Sequence, residues 1–188
     1  MKVLVEASAH HVHLSEKDAK ILFGYSNLTK VRDLSQPGQF LSSERVNIVG
    51  PKGEIKNVAV LGPCRKQTQV EVSFTESIKL GIKGLVRESG DLKMSEKCEI
   101  TSSTGKVFLE EGVIVAKRHI HMDDKTAKEL NISDGKIVKV KVKSNERSLI
   151  FDDVIVRVSE RFSMAMHIDT DEANACGFFN GMIGEIIL

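Results

Sequence analysis

Residues Val138-Lys139-Val140-Lys141-Val142 alternate apolar and polar without exception. That two-residue period turns one face of a strand toward a core and the other toward water. Looser versions of the pattern recur at residues 45–49, 54–61, 68–74, 106–109, 113–116, 136–143, 148–158 and 182–188. These segments are short and rich in Val and Ile, and turn-forming clusters such as Gly50-Pro51-Lys52-Gly53 and Ser133-Asp134-Gly135 separate them. Helical periodicity is confined to brief stretches. The expected fold class is therefore mostly β: two β-barrels or sandwiches capped by short α-helices, not a repeating βαβ scheme.

The 188 residues allow one or two domains with a sizeable core. A composition of 41% hydrophobic and 28% charged residues is that of an ordinary globular protein. With 27 basic and 26 acidic side chains, the net charge of +1 removes any global electrostatic case for a nucleic-acid or membrane partner. Cys64, Cys98 and Cys176 are odd in number, widely spaced and without a CxxC pair. That argues against a disulfide framework or zinc ribbon and for a reducing cytoplasm. Glu6 interrupts the apolar start, so no signal peptide is expected, and no run approaches the length of a membrane span.

An internal repeat changes the picture. Residues 11–22 align without gaps on residues 119–130, an offset of 108, with six of twelve positions identical. A fainter third echo begins at His167, with Ile168 next, Glu172 at the acidic position and Ala175 at the alanine position. In each copy an apolar run leads into histidine as a strand, after which Ser15, Asp123 or Thr170 can cap a short helix. The unit reads as a strand-to-helix corner that presents imidazoles, or more simply as a recurring barrel-and-cap element.

The six histidines, at 10, 11, 13, 119, 121 and 167, all lie in copies of this unit. Strand residues i and i+2 share a face, so His11 and His13 are neighbours, as are His119 and His121. Paired imidazoles suit a divalent metal that takes neutral nitrogen ligands. His10 has the opposite parity and is expected to face away. Two metals need further ligands. Glu71 is a candidate, on the polar face of residues 67–74, with Thr68, Val70, Val72 and Phe74 expected toward the core; the alternative is a solvated strand carboxylate. Asp169 either ligates or orients His167, or caps the next helix. Arg65 and Lys66 follow the turn Gly62-Pro63-Cys64, an exposed place for an anion-binding guanidinium or for a surface ion pair. On a straight strand Arg65 would stand ~20 Å from Glu71, so a shared site requires the chain to bend. Cys64 reads as a small hydrophobe before a nucleophile. The glycines of residues 81–90 match neither a Walker A loop nor a Rossmann fingerprint.

These residues point to a two-metal, zinc-like centre in a β-rich protein. A TIM-barrel hydrolase needs about 250 residues, the HxHxDH pattern of metallo-β-lactamase-like hydrolases is absent, and Glu16 follows His13 too closely for a cupin ligand set. A dizinc hydrolase and a non-enzymatic cupin-like binding protein remain open as alternatives on this reading.

Five stretches together resemble the PduL-type phosphate acyltransferases (phosphate propanoyltransferase): His11-Val-His-Leu-Ser, Leu61-Gly-Pro-Cys-Arg-Lys-Gln-Thr-Gln-Val-Glu-Val-Ser73, Val86-Arg-Glu-Ser-Gly-Asp-Leu-Lys93, Lys117-Arg-His-Ile-His-Met122 and His167-Ile-Asp-Thr-Asp-Glu-Ala-Asn174. The resemblance implies the reaction acyl-CoA + phosphate ⇌ acyl phosphate + CoA, with propanoyl- or acetyl-CoA as substrate. It implies two Zn2+ ions: one on His11, His13 and Glu71 with an open position for the CoA sulfur, the other on His119, His121 and His167 with water. It makes Arg65 the phosphate binder and catalytic residue, and suggests a homodimer. Interleaved barrels are implied too: residues 1–9 with about 112–188, and about 10–111. The family usually has Arg before its first HxH, where this chain has His10. Only ten residues precede His11, so either a cytoplasmic form without a microcompartment-targeting extension or a chain from which such an extension was trimmed is expected.

Overall fold

A computed structural model describes residues 1–188. The chain begins β1 (Lys2–Ala7), β2 (His11–His13), α1 (Glu16–Phe23), β3 (Lys30–Asp33), β4 (Phe40–Val49), β5 (Glu54–Gly62) and β6 (Gln69–Glu71). It continues through α2 (Phe74–Leu80), β7 (Val86–Arg87), β8 (Glu96–Thr101), β9 (Lys106–Ala116), β10 (His119–Met122) and α3 (Asp124–Glu129). It ends with β11 (Ile137–Val142), β12 (Leu149–Val158), β13 (Ala165–Ile168), α4 (Thr170–Cys176) and β14 (Ile183–Ile187). Short strands dominate and the four helices are brief, as the hydrophobic pattern predicts. No helix is long and apolar enough to cross a membrane.

The chain divides into two compact units. One comprises Met1–Ser8, Ser35–Pro37 and Lys117–Leu188; the other comprises Ala9–Leu34 and Gly38–Ala116. In the first unit the strands close in the order β1-β13-β10-β12-β11-β14, so that β1 from the start of the chain seals a ring otherwise built from its end. In the second unit β4-β5-β2-β6-β9-β8 close because β8 pairs with both β4 and β9. The strands β3 and β7 are appended to β4 and β9.

The two rings share a plan. Each HxH strand has a parallel neighbour on one side (β5 for β2, β12 for β10) and an antiparallel neighbour on the other (β6 for β2, β13 for β10). The residues that alternate with the histidines supply the driving force. Val12 and Leu14 are fully buried in the second unit's core, and Ile120 and Met122 in the first unit's. Each is worth about 1.5–3 kcal/mol in removal from water. Because side chains alternate along a strand, anchoring these residues in the core commits the histidines to the opposite face.

Two expectations need correction. The stretch 68–74 is not one strand: β6 ends at Glu71, and Ser73 caps α2 by accepting from the Glu76 N–H. Phe74, expected in the core, is therefore the first helical residue and 48% exposed, while Gln69, expected on the polar face, is buried. At the third echo the helix cap is Asp169, not Thr170; its carboxylate accepts from the Glu172 N–H.

The three cysteines are free: Cys98 and Cys176 are buried and Cys64 is half-buried. Burial pushes the Cys98 thiol up to about 12, so at pH 8 only about one molecule in 10⁴ carries its thiolate, the reactive form. A thiol-specific chromogenic reagent at pH 8 is expected to titrate Cys64 in the native protein and the other two only after denaturation. Three rapidly reacting thiols in the native state would mean that the barrels open far more readily than their packing implies.

Candidate metal centres

In the second unit, β2 and β6 run antiparallel with His11 directly opposite Glu71 and His13 opposite Gln69. Directly opposed residues share a face, so both imidazoles and the carboxylate meet on one side of the sheet. The donor atoms of His11, His13 and Glu71 all lie within 4.8 Å of one another. Nδ1 of His11 donates to the Ala9 carbonyl at 2.8 Å, which turns Nε2 toward Glu71. The Nε2–Oε2 separation is 3.4 Å. That is long for a hydrogen bond but equals the edge of a tetrahedron whose corners lie about 2.0–2.1 Å from a zinc ion, about 3.4 Å. His13 is buried, its Nδ1 makes no hydrogen bond of normal geometry, and the Leu61 backbone is the polar group beside the ring, which leaves the imidazole underused for a buried polar group. These residues fit zinc.

The electrostatics agree. Burial, with His11 and Arg65 nearby, holds the His13 imidazole well below its ordinary pKa, so it is neutral at physiological pH. For Glu71 burial favours the protonated form, but His11, His13 and Arg65 outweigh it and keep the carboxyl well below the usual range. For His11 burial opposes the charge, but the Glu71 carboxylate and the Ala9 carbonyl overcome it and raise the pKa. The cluster is thus one carboxylate and two imidazoles, a donor set that suits a divalent cation, with the positive charge of Arg65 alongside.

Arg65 reaches this cluster because the chain turns after β5. Gly62 packs beneath Phe40, where a Cβ would lie 2.2 Å from the ring, leaving no room for a side chain. Beyond the turn, the Arg65 N–H donates to the Leu14 carbonyl at 2.8 Å, and Arg65 forms a parallel bridge with Ser15 just past β2. Its Nη1 donates to Ser89 Oγ at 3.1 Å, and Ser89 Oγ donates to Glu71 Oε1 at 3.3 Å. Gln69 Nε2 donates to both Ser89 Oγ and Glu71 Oε1, while its Oε1 accepts from the Gly90 N–H. Glu71 is therefore held through Oε1, leaving Oε2 beside His11. Ser89 and Gln69 were not singled out from the sequence. The only signals were the stretch from Val86 to Lys93 for Ser89 and the polar face of residues 67–74 for Gln69, and neither carries recognisable chemistry until the chain folds around Glu71. Lys66 is exposed, and Cys64 packs partly against the core, its Sγ 3.4 Å from the Ser26 carbonyl.

In the first unit, His119 stands opposite His167 in the β10–β13 pair. The donor atoms of His119, His121 and His167 likewise lie within 4.8 Å of one another. Nδ1 of His119 donates to the Lys117 carbonyl at 2.9 Å, the same two-residue reach-back that His11 makes to Ala9. Ring centroids are 4.6 Å apart for His119–His121, 5.2 Å for His119–His167 and 4.9 Å for His121–His167. Glu6, paired with His167 across β1 and β13, brings Oε2 to 3.7 Å from the His167 Nδ1. Asp169 caps α4 and is not among the three donors.

Comparing the two clusters exposes a fourth corner. Glu71 opposite His11 is the counterpart of His167 opposite His119. Two residues past each third donor, Ser73 or Asp169 opens a helix with a full capping box closed by Glu76 or Glu172.

Fold and side-chain clusters define a double β-barrel protein with two candidate metal centres of three donors each. A model of the phosphate propanoyltransferase family matches residues 4–179. The phosphate propanoyltransferase of Clostridioides difficile is 54% identical over 184 residues, covering 97% of this chain and 88% of that protein. That of Listeria monocytogenes is 54% identical over 186 residues (98% and 87%), and that of Thermotoga maritima 50% over 186 (98% and 89%). The chain belongs to the phosphate propanoyltransferase family. It is an acyltransferase, with an acyl-CoA and phosphate as its substrates.

Proposed function

We propose that this chain transfers a short acyl group, propanoyl or acetyl, reversibly between CoA and phosphate, with two zinc ions. One is held by His11, His13 and Glu71 and the other by His119, His121 and His167, and Arg65 binds phosphate. The observation that carries this reading is the Arg65–Ser89–Glu71 chain of hydrogen bonds, which fixes a guanidinium beside a three-donor cluster.

Zinc held by His11, His13 and Glu71 would supply a Lewis acid for a thioester carbonyl and a soft partner for a departing thiolate. Arg65 binds phosphate as a planar fork and offsets negative charge as the anion approaches the thioester carbon. A phosphate oxygen forms the new bond to that carbon, the C–S bond breaks, and CoA leaves as the thiolate. Phosphate is already anionic near neutral pH, so no side chain need take a proton from it. Ser89 holds the guanidinium in place, and Gln69 and Ser89 hold Glu71. Fixing both reactants in this way supplies several kcal/mol of the acceleration, on the order found for oriented intramolecular reactions. Transfer is direct. The Cys64 thiol is raised by burial and by the carboxylates of Glu16 and Glu44, which disfavours the thiolate a covalent acyl intermediate would need. Three free thiols suit a reducing cytoplasm, where we place the protein.

The test is CoA thiol release from propanoyl-CoA by zinc-replete protein, with and without phosphate. Release is expected only with phosphate, together with formation of the acyl phosphate. Equal release in its absence would make the protein a hydrolase, and no release by protein of confirmed zinc content would make it a binding protein.

A further inference from the structure

His10 is the one histidine outside both clusters. Its Nδ1 pairs with Glu76 Oε1. In the other barrel the corresponding residue before the HxH strand is Arg118, whose Nη1 donates to Glu172 Oε1 at 2.8 Å. The partners correspond as well. Glu76 accepts the Ser73 N–H at 2.8 Å through Oε2, and Glu172 accepts the Asp169 N–H at 3.0 Å through Oε2. Each glutamate thus spends one oxygen on its own helix cap and the other on the strand that carries two metal donors. The capped residue lies two positions beyond the third donor, Glu71 or His167. Burial is matched too, at 31% and 17% side-chain exposure for His10 and Glu76 and 28% and 19% for Arg118 and Glu172.

We propose that His10 and Arg118 are positioning residues. Each clamps the backbone just past the third donor to the strand of the first two, and so sets the spacing of its three-donor cluster. The proposal rests on the zinc reading above. It gives the residue before each HxH a role in metal geometry that needs no contact with substrate. It also explains how His10 and Arg118 serve in corresponding places: one N–H aimed at the capping glutamate is enough. Arg118 makes more of its position, since its Nε donates to the Asp152 carbonyl at 2.6 Å and its guanidinium lies over the Phe151 ring.

The test is zinc titration of the metal-free protein against a chromophoric chelator. His10→Ala and Glu76→Ala are expected to weaken one of two sites by about 10–100-fold, the usual effect of removing an outer partner of a ligand. The other site should stay within about twofold. Arg118→Ala and Glu172→Ala should weaken the opposite site. His10→Arg should bind zinc as the unaltered chain does, a rescue that a loss of packing would not allow. Ser73→Ala, which removes the hydroxyl half of the cap but leaves the clamp, serves as the structural control and should lower the melting temperature alone. If His10→Ala behaves like Ser73→Ala, with both zinc constants unmoved, the clamp is overturned. If the unaltered chain binds no zinc, the metal reading falls and takes the clamp with it.

Discussion

Arg65→Ala is expected to lower phosphate-dependent turnover by about 10²–10³-fold, the usual effect of removing one preorganised donor from developing negative charge. Both zinc ions should remain bound. The side chain is tied to Glu71 through Ser89, and Ser89 keeps Gln69 as a donor once the guanidinium is gone. Arg65→Lys should recover little, because a compact ammonium cannot donate to Ser89 and also grip an anion in a planar, two-pronged way. Steady-state rates at varied phosphate, with zinc content measured on the same samples, read both halves of the claim. Loss of zinc alongside activity would show that Arg65 is a support of the cluster, and full activity would remove it from the site altogether.

Glu71→Ala is expected to drop bound zinc from two ions per chain to one and to reduce acyl transfer to background. His11 and His13 alone offer two donors, one short of the three that open zinc sites use. The loss also strips Gln69 and Ser89 of a shared acceptor inside the protein, a penalty of about 1–3 kcal/mol for a buried group left unmatched. Metal analysis after exhaustive dialysis, together with the thiol-release assay, decides it. Retention of two tightly held ions would show that this trio is not a zinc site. His167→Ala provides the matching experiment in the other barrel, where a separate ion should be lost.

Much of this architecture was legible before any coordinates. The two-residue period of Val138 to Val142 reappears as β11, with its valines fully or nearly fully buried. The HxH repeat announced equivalent strands because a buried apolar residue between two histidines forces both onto one face, and Val12 and Ile120 do this. What stayed hidden depends on pairing between distant residues. Nothing local says that β6 lies beside β2, so Glu71 and His167 could not be seen as counterparts; the identity between their corners is confined to the glutamate that closes each capping box. Phe74 misled because it continues the alternation of Thr68, Val70 and Val72, while Ser73 ends the strand for a reason of hydrogen bonding, not hydrophobicity. Ser89 was invisible because a lone serine on a loop acquires meaning only from what the loop is folded against.

The strand β1 is made long before the strands it pairs with. Val3 and Val5 are buried between β13 and β14, which leave the ribosome about 160 residues later, a wait of roughly 8–30 s at typical elongation rates. During that interval the ring of residues 9–116 has all its strands and is free to close. The nascent chain therefore carries a short, valine-bearing strand with two open edges beside a body that is free to fold. Synthesis rate, and any holdase that masks β1, would then govern yield in cells more than the final stability of either barrel.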